Sequence, residues 1–413
     1  MAALRLRSAF IGVVALAPIL GCGDSSTDPP TSPADDLRER ALAAGLSSLP
    51  ATPIYPLDNP FVAERVELGR LLFFDPILSG PMDVACSTCH LPRFAFADGR
   101  QFAAGAGAIG LGPERTEPGP WPLRPMPRNS PTVFNIGHYG RNGPLPTSNG
   151  TMFWSGAAFG LEDQVLNPIA ADNELRGTTY GKPVAVDSVL VRLRSISTYL
   201  DGFRSAFPEV VASVGATPEA VITHGTLRLA LAGYLRELRT PSSPFDRWMD
   251  GDESAFSDAQ RRGLELFIGD AGCVSCHTGP LLSDFSMHVI GGRQEGVGRD
   301  TTRNDDLGWG EHGGTPYSFR TPPLRQVSET APYLHAGTAA SLEDLLRFKN
   351  AGVSEHTSVP NSRLSAGVGP LGLTEAHLSD LEAFLESLTD RVSTQGPLFQ
   401  APTTVPSGLT VPR

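Results

Sequence analysis

Apolar positions recur with helical spacing in several separate stretches of this chain. Residues 64–74 (ERVELGRLLFF) place apolar side chains at three- and four-residue steps, and Asp75-Pro76 predicts the end of that helix. The same spacing predicts further helices at 160–165, 218–238 and 374–388. Glycine and proline are frequent between these stretches, which indicates irregular connections between helices rather than a regular sheet.

Two of the helical stretches precede the same five-residue pattern. Residues 64–74 are followed by Cys86-Ser87-Thr88-Cys89-His90, and residues 260–267 (QRRGLELF) by Cys273-Val274-Ser275-Cys276-His277. C-x-x-C-H is the attachment signature of c-type haem, in which the cysteines form thioethers and the histidine is the proximal iron ligand. The alternative is zinc, but each site would need four N or S ligands and no further cysteine lies nearby. We therefore predict two covalently bound haems.

The repetition of helix, turn and C-x-x-C-H indicates an internal repeat. We expect a mainly α fold with two cytochrome c-like haem domains and long irregular loops. The predicted ranges are a signal peptide at 1–21, a flexible tether at 22–36, an N-terminal haem domain at 37–247, a C-terminal haem domain at 248–392 and a proline-rich tail at 393–413.

The fifth cysteine, Cys22, lies outside both motifs and follows a short apolar stretch at residues 10–20. That stretch is too short for a comfortable transmembrane helix, and Ile19-Leu20-Gly21-Cys22 resembles a bacterial lipoprotein box. The prediction is export to the periplasm with an acylated Cys22 anchoring the protein to a bacterial membrane. An ordinary secretory signal with an incidental Cys22 is the alternative.

The net charge of −11 argues against a nucleic-acid partner. It suits a basic protein partner, such as a small electron-carrying cytochrome, although acidity also serves plain solubility.

Sequence segments outside the haem motifs also resemble those of a known protein family. From roughly Leu57 to Leu388 the chain resembles the bacterial di-haem cytochrome c peroxidase/MauG superfamily. The resemblance is carried, in order, by LGRLLFFDPILSG, CSTCH, AFADG, RNSPTVFN, MFWSG, LEDQVLNPI, CVSCHTGP, FRTPPLRQVSETAPYLHAG and SLEDLLRF.

This resemblance implies that the two haems have different tasks. The haem held by Cys86, Cys89 and His90 would react with peroxide, and the haem held by Cys273, Cys276 and His277 would transfer electrons. The residues matching the distal pocket of the family are Trp154, Gln164, Pro168 and Glu174.

The chemistry of these residue types fits those roles. A carboxylate beside an open iron can move the proton that O–O cleavage requires, so Glu174 would be the general acid/base. Gln164 would orient peroxide, Pro168 would shape the pocket, and Trp154 would relay electrons between the haems. The alternatives are a solvated Glu174 and a Trp154 that only packs in the core.

The chain differs from these relatives in the residues expected to coordinate each haem iron. Many relatives carry a second histidine about sixteen residues after the first motif, but no histidine lies between His90 and His138 here. This absence predicts an open, five-coordinate first haem. At the second haem, Lys349 occupies the position where relatives place a Met or Tyr ligand. Its role as sixth ligand stays open, with Met287, His288 and His356 as the alternatives.

The resemblance also implies a calcium ion between the domains, held by Asn129, Thr330 and Pro332. The alternative is that these residues only form a turn and a loop.

Three functions are compatible with the sequence. The leading one is reduction of hydrogen peroxide with electrons from a small exported c-type cytochrome or cupredoxin, in a protein whose relatives are often homodimers. The second is MauG-like oxidation of side chains in a partner protein, although Ala271-Gly272 stand where such an enzyme carries a surface tryptophan. The third is a lipid-tethered electron carrier without catalytic activity.

Overall fold

A computed structural model describes residues 33–116, 126–139, 150–295 and 305–413. Helices dominate these ranges and strands are few, which confirms the predicted mainly α fold. The expected signal peptide, Cys22 and most of the tether lie outside the described residues. Within the described residues, no helix combines the length and apolar character needed to cross a membrane.

The described residues form fourteen α-helices and four short strands. The helices are α1 Pro33–Ala43, α2 Ala63–Phe74, α3 Cys86–Cys89, α4 Leu161–Gln164, α5 Asn167–Ala170, α6 Ala185–Arg194, α7 Ser197–Ala206, α8 Pro208–Val214, α9 Pro218–Val221, α10 His224–Arg236, α11 Pro244–Met249, α12 Asp258–Ile268, α13 Leu342–Ala351 and α14 Glu375–Glu386. The strands form two antiparallel pairs, β1 Thr151–Met152 with β2 Ala158–Phe159, and β3 Met287–His288 with β4 Phe319–Arg320.

Two separate hydrophobic clusters form the core. The first is built mainly from α2, α6, α7 and α10, and Cys86 packs against it. The second is built mainly from α11, α12, α13 and α14, and Cys273 packs against it. Each haem motif therefore has its own apolar core.

The helix before each motif crosses a partner helix at a glycine. A Cβ atom at Gly69 of α2 would lie 2.0 Å from the carbonyl oxygen of Ala230 in α10. A Cβ atom at Gly263 of α12 would lie 1.9 Å from the carbonyl oxygen of Asp380 in α14. The two halves thus repeat a backbone-to-backbone helix crossing as well as a motif.

Both chain ends pack across the boundary between the two halves. Leu37 and Ala41 of α1 belong to the second cluster, although the sequence placed residue 37 in the N-terminal domain. The C-terminal tail packs on the first cluster instead, where the rings of Phe399 and Phe134 lie 5.7 Å apart. Ser407 Oγ also donates a hydrogen bond to Asp75 (2.6 Å). Each end of the chain therefore packs on the opposite half.

The single helix predicted at 218–238 is two helices, α9 and α10. Ile222 is extended, and the Thr223 hydroxyl accepts a hydrogen bond from the Thr226 N–H as the N-cap of α10. The periodicity of the apolar residues continues through the break, so the sequence pattern did not reveal it.

A Gly69→Ala substitution should destabilise the haem-loaded protein by about 1–3 kcal/mol, because the added methyl group has to push two helix backbones apart. Thermal unfolding measures the effect. The matched control is Gly225→Ala in α10, where a Cβ would meet only Thr223 Oγ1 at an ordinary 3.5 Å. Equal melting temperatures for the two variants would contradict the argument.

Candidate haem sites

A cavity of about 990 Å³ lies beside the first C-x-x-C-H motif. This volume is at the upper end of the usual range for ligand and cofactor sites. Its wall includes the three motif residues and all four residues expected in the distal pocket: Cys86, Cys89, His90, Trp154, Gln164, Pro168 and Glu174. The fold therefore brings together side chains that are widely separated in the sequence.

The two motif histidines are oriented in the same way. His90 Nδ1 donates to the carbonyl of Phe96 (3.0 Å), and His277 Nδ1 donates to the carbonyl of Leu282 (2.9 Å). With the proton held on Nδ1, Nε2 is the nitrogen that can coordinate iron. Burial lowers the pKa of both imidazoles, that of His277 to about 4, and so favours the neutral form that a metal ligand needs.

Glu174 lies on a loop that folds back over α5. The Leu175 N–H donates to the Pro168 carbonyl (3.1 Å), and the Ala106 N–H donates to the Glu174 carbonyl (2.8 Å). Gly105 permits this approach, because a Cβ there would lie 2.2 Å from the carbonyl oxygen of Asn173. The chain that follows the first haem motif thus fixes the backbone of Glu174.

Glu174 acts electrostatically on the first motif. Burial raises the pKa of the Cys86 thiol to about 12, and the negative charge of Glu174 adds to that increase. Glu174 and both attachment cysteines line the same cavity.

Trp154 lies in the wall between two cavities. It follows β1 and the residue Phe153, whose φ of 63° turns the chain sharply. The indole Nε1 donates to the carbonyl of Asn129 (3.0 Å), and the Trp154 carbonyl accepts from the Arg320 N–H (2.8 Å). Both the first cavity and the one beside the second motif include Trp154 in their walls.

The second cavity, about 260 Å³, adjoins the second motif. Its wall is mostly apolar and includes the three motif residues together with Lys349 and the three residues expected to bind calcium: Cys273, Cys276, His277, Lys349, Asn129, Thr330 and Pro332. Asn129 donates its side-chain Nδ2 to the Arg100 carbonyl (2.8 Å), which leaves Oδ1 as the acceptor atom. Of the alternatives to Lys349, His288 lines this cavity, whereas Met287 and His356 are not part of its wall.

Known proteins resemble this chain over most of its length. The model of the family described as di-haem cytochrome c peroxidase matches residues 63–254. The methylamine utilization protein MauG of Methylorubrum extorquens is 34% identical, covering 81% of this chain and 80% of that protein. The cytochrome c551 peroxidase of Pseudomonas aeruginosa is 30% identical, covering 88% and 89%. The solved structure of a MauG-like protein associated with microbial copper homeostasis has a TM-score of 0.69 at 28% identity, covering 86% and 98%.

The chain belongs to the di-haem cytochrome c peroxidase family. This confirms the resemblance stated from the sequence and the classification of the protein as a di-haem peroxidase. Membership implies two haem c groups, a peroxide substrate and a cytochrome electron donor.

One buried arginine of this di-haem peroxidase was not singled out by the sequence. Arg320 of β4 lines both cavities and is 6% exposed. Its Nε donates to the Phe153 carbonyl (3.0 Å), but its buried Nη1 has no hydrogen-bond partner within the described ranges. Haem c carries two carboxylates, and a buried guanidinium with one nitrogen still unpaired suits such a group. The residues present therefore fit haem in both cavities.

A histidine from the second half also reaches the peroxidase's first cavity. His312 lies in its wall, with Nε2 3.3 Å from Ser155 Oγ. Ser155 Oγ accepts a hydrogen bond from Arg128 (2.9 Å), which forms a buried ion pair with Asp306. His312 lies far from His90 in the sequence, so the spacing around the first motif does not predict its place in this cavity.

Arg320→Gln should lower the reduction potential of at least one haem, because loss of a buried positive charge favours the ferric state. Spectroelectrochemical titration of the haem-loaded protein measures this potential. Arg93→Gln is the control, since it removes the same charge from an exposed side chain that lies over the Phe94 ring. The assignment fails if the two variants shift the potentials equally.

Proposed function

We propose that the protein reduces hydrogen peroxide to two waters at the first haem, with two electrons supplied through the second haem. The donor would be a small exported c-type cytochrome or a cupredoxin. The observation that carries this proposal is the first cavity, which combines a haem-binding motif with Glu174 and Gln164. The second cavity has no comparable acid among its described wall residues and shares Trp154 with the first.

Bound haem would supply the iron and the redox chemistry, and the side chains around it would supply protonation and orientation. Glu174 takes a proton from one peroxide oxygen and delivers it to the other, so that water can leave. Gln164 donates a hydrogen bond that orients the peroxide. Pro168 shapes the wall, and its carbonyl helps to hold the Glu174 loop through Leu175.

Trp154 relays electrons between the haems in this proposal. Its place in the walls of both cavities supports that role, and the hydrogen bonds to Asn129 and Arg320 hold it in one orientation. A tryptophan that only filled the core would not need to line both sites.

The first haem is proposed to be five-coordinate and open to peroxide. Among the described wall residues of its cavity, His312 is the imidazole other than His90. The contact of His312 with Ser155 supports a structural role for this side chain rather than iron coordination. His138 is fully buried, but it does not line either cavity.

A calcium ion bound by Asn129 Oδ1 and the carbonyl oxygens of Thr330 and Pro332 is part of the same proposal. All three residues line the second cavity, and Asn129 lines the first as well. The ion would join the loop before Trp154 to the second haem domain. We also propose export with an acylated Cys22, supported by the Ile19-Leu20-Gly21-Cys22 box, and a homodimer.

Oxidation of side chains in a partner protein is the second candidate function, because the MauG of Methylorubrum extorquens is 34% identical to this chain. Peroxide-dependent oxidation of a reduced cytochrome c separates the two functions, since the leading proposal requires it. An electron carrier without catalytic activity is disfavoured, because it has no use for Glu174 at an open cavity.

Glu174→Gln should lower peroxidase turnover by about 10²–10⁴-fold, the usual contribution of a general acid/base, while both haems remain attached. Stopped-flow reduction of peroxide by the haem-loaded variant tests this. Asp172→Asn is the matched control, because Asp172 lines the same cavity but is 60% exposed and lies 3.6 Å from Arg176. Full activity in Glu174→Gln would refute the assignment.

Asn129→Ala should reduce bound calcium to less than one ion per chain without loss of haem, because it removes the side-chain ligand. Elemental analysis of the purified protein gives both metal contents. Finding no calcium in the unaltered protein would rule out this part of the proposal.

A further inference from the structure

The chain uses arginine for almost all of its positive charge. Only two of its 33 basic residues are lysines, Lys182 and Lys349, and the other 31 are arginines. Lys182 is an exposed residue in the wall of the first cavity, whereas Lys349 lines the second haem cavity. Arginine stays protonated in proteins, but a lysine amine can lose its proton and offer a lone pair. A lysine at this cavity can therefore offer a lone pair to a metal, which an arginine cannot do.

Lys349 extends from the apolar face of α13. It follows Leu342, Leu345 and Leu346 by seven, four and three residues, so the four side chains share one face of the helix. Leu345 and Leu346 line the second cavity with it. Arg347 of the same helix instead pairs with Glu343 and Glu375 at the surface.

The Lys349 amine is not paired with an acidic side chain of the part of the chain that the structure describes. Within the described ranges no hydrogen bond or ion pair involves its Nζ, which lies 5.6 Å from the ring centroid of Phe348. Burial lowers the pKa of this amine. Because Lys349 is half-buried in a mostly apolar cavity wall, its amine is stabilised by a counter-charge when protonated, or by a Lewis acid that accepts its lone pair when neutral.

In the other imidazoles near the second motif, Nε2, the nitrogen with which His90 and His277 would coordinate iron, lies beside a polar side chain. His288 Nε2 lies 2.9 Å from Asp284 Oδ2, and His335 Nε2 lies 3.0 Å from Gln294 Oε1. Outside the cavity wall, His356 Nε2 lies 3.3 Å from Asp305 without a hydrogen bond, and its Nδ1 accepts one from the Ser358 N–H (3.1 Å). The remaining alternative, Met287, packs its methyl group on Gly156 of the β1–β2 hairpin.

We infer that the neutral ε-amine of Lys349 is the sixth ligand of the second haem iron, alongside His277. This inference rests on the proposed function, because it requires haem at the second motif. Methionine ligation raises the reduction potential of c-type haem, so an amine in its place keeps the electron-transfer haem at a lower potential. A lower potential makes this haem a stronger reductant for the first.

Selective ¹⁵N-lysine labelling tests the ligand directly, since the chain holds only one other lysine. In oxidised, haem-loaded protein, pulsed EPR on the low-spin signal should show ¹⁵N hyperfine coupling. The coupling should persist in Lys182→Ala and vanish in Lys349→Ala. Lys349→Met should restore a low-spin haem without ¹⁵N coupling and raise the potential of the second haem.

A low-spin signal without ¹⁵N coupling in the unaltered protein overturns the inference, as does a high-spin second haem. If Lys349 pairs instead with a haem carboxylate, Lys349→Ala leaves the low-spin bands unchanged, and that result also overturns it. Peroxidase activity decides separately on the proposed function. Active protein with two haems and no lysine nitrogen on iron refutes only the ligand, whereas protein without the second haem refutes both proposals.

Discussion

Direct contact between two helix backbones fixes the position of the helix that precedes each haem motif. At Gly69 and Gly263 no side chain separates the crossing helices, so each pair is held at a distance that a methyl group would disturb. The helices α2 and α12 end shortly before their motifs, and the crossing therefore sets where each motif begins. In the first half, Asp75 extends this control beyond the helix. Its carboxylate accepts hydrogen bonds from Ile77, Tyr199 and Ser407.

Polar contacts join the two halves of the protein at the place where the cavities meet. Arg128 of the first half forms a buried ion pair with Asp306 of the second, and Trp154 links Asn129 to Arg320 through hydrogen bonds. Breaking one partner of such a buried pair leaves an uncompensated charge, so these contacts favour a single relative placement of the halves. Each chain end packs on the opposite half, and these apolar contacts also favour that placement. A fixed separation suits electron transfer through an intervening indole.

The sequence predicted the local features because they depend on nearby residues. Helix periodicity located α2, α12 and α14, and the two motifs located both cavities. The resemblance grouped Trp154, Gln164, Pro168 and Glu174, which the fold places around one cavity. Arg320 and His312 escaped prediction, because only tertiary packing brings them to a motif more than two hundred residues earlier. The packing of each chain end on the opposite half was not predicted for the same reason. The break before α10 depends on a single N-cap, Thr223.

The differences between the two haem sites arise where the internal repeat stops. On the proximal side the sites are alike, since each histidine donates Nδ1 to a carbonyl a few residues further along the chain. Apart from the residues that both walls share, such as Trp154 and Arg320, the walls come from unrelated segments, the Glu174 loop in one half and α13 with Lys349 in the other. A carboxylate can move protons at an iron that stays open, whereas an amine can close an iron that only exchanges electrons. A duplicated haem-binding unit could thus acquire two tasks without any change in how it holds haem.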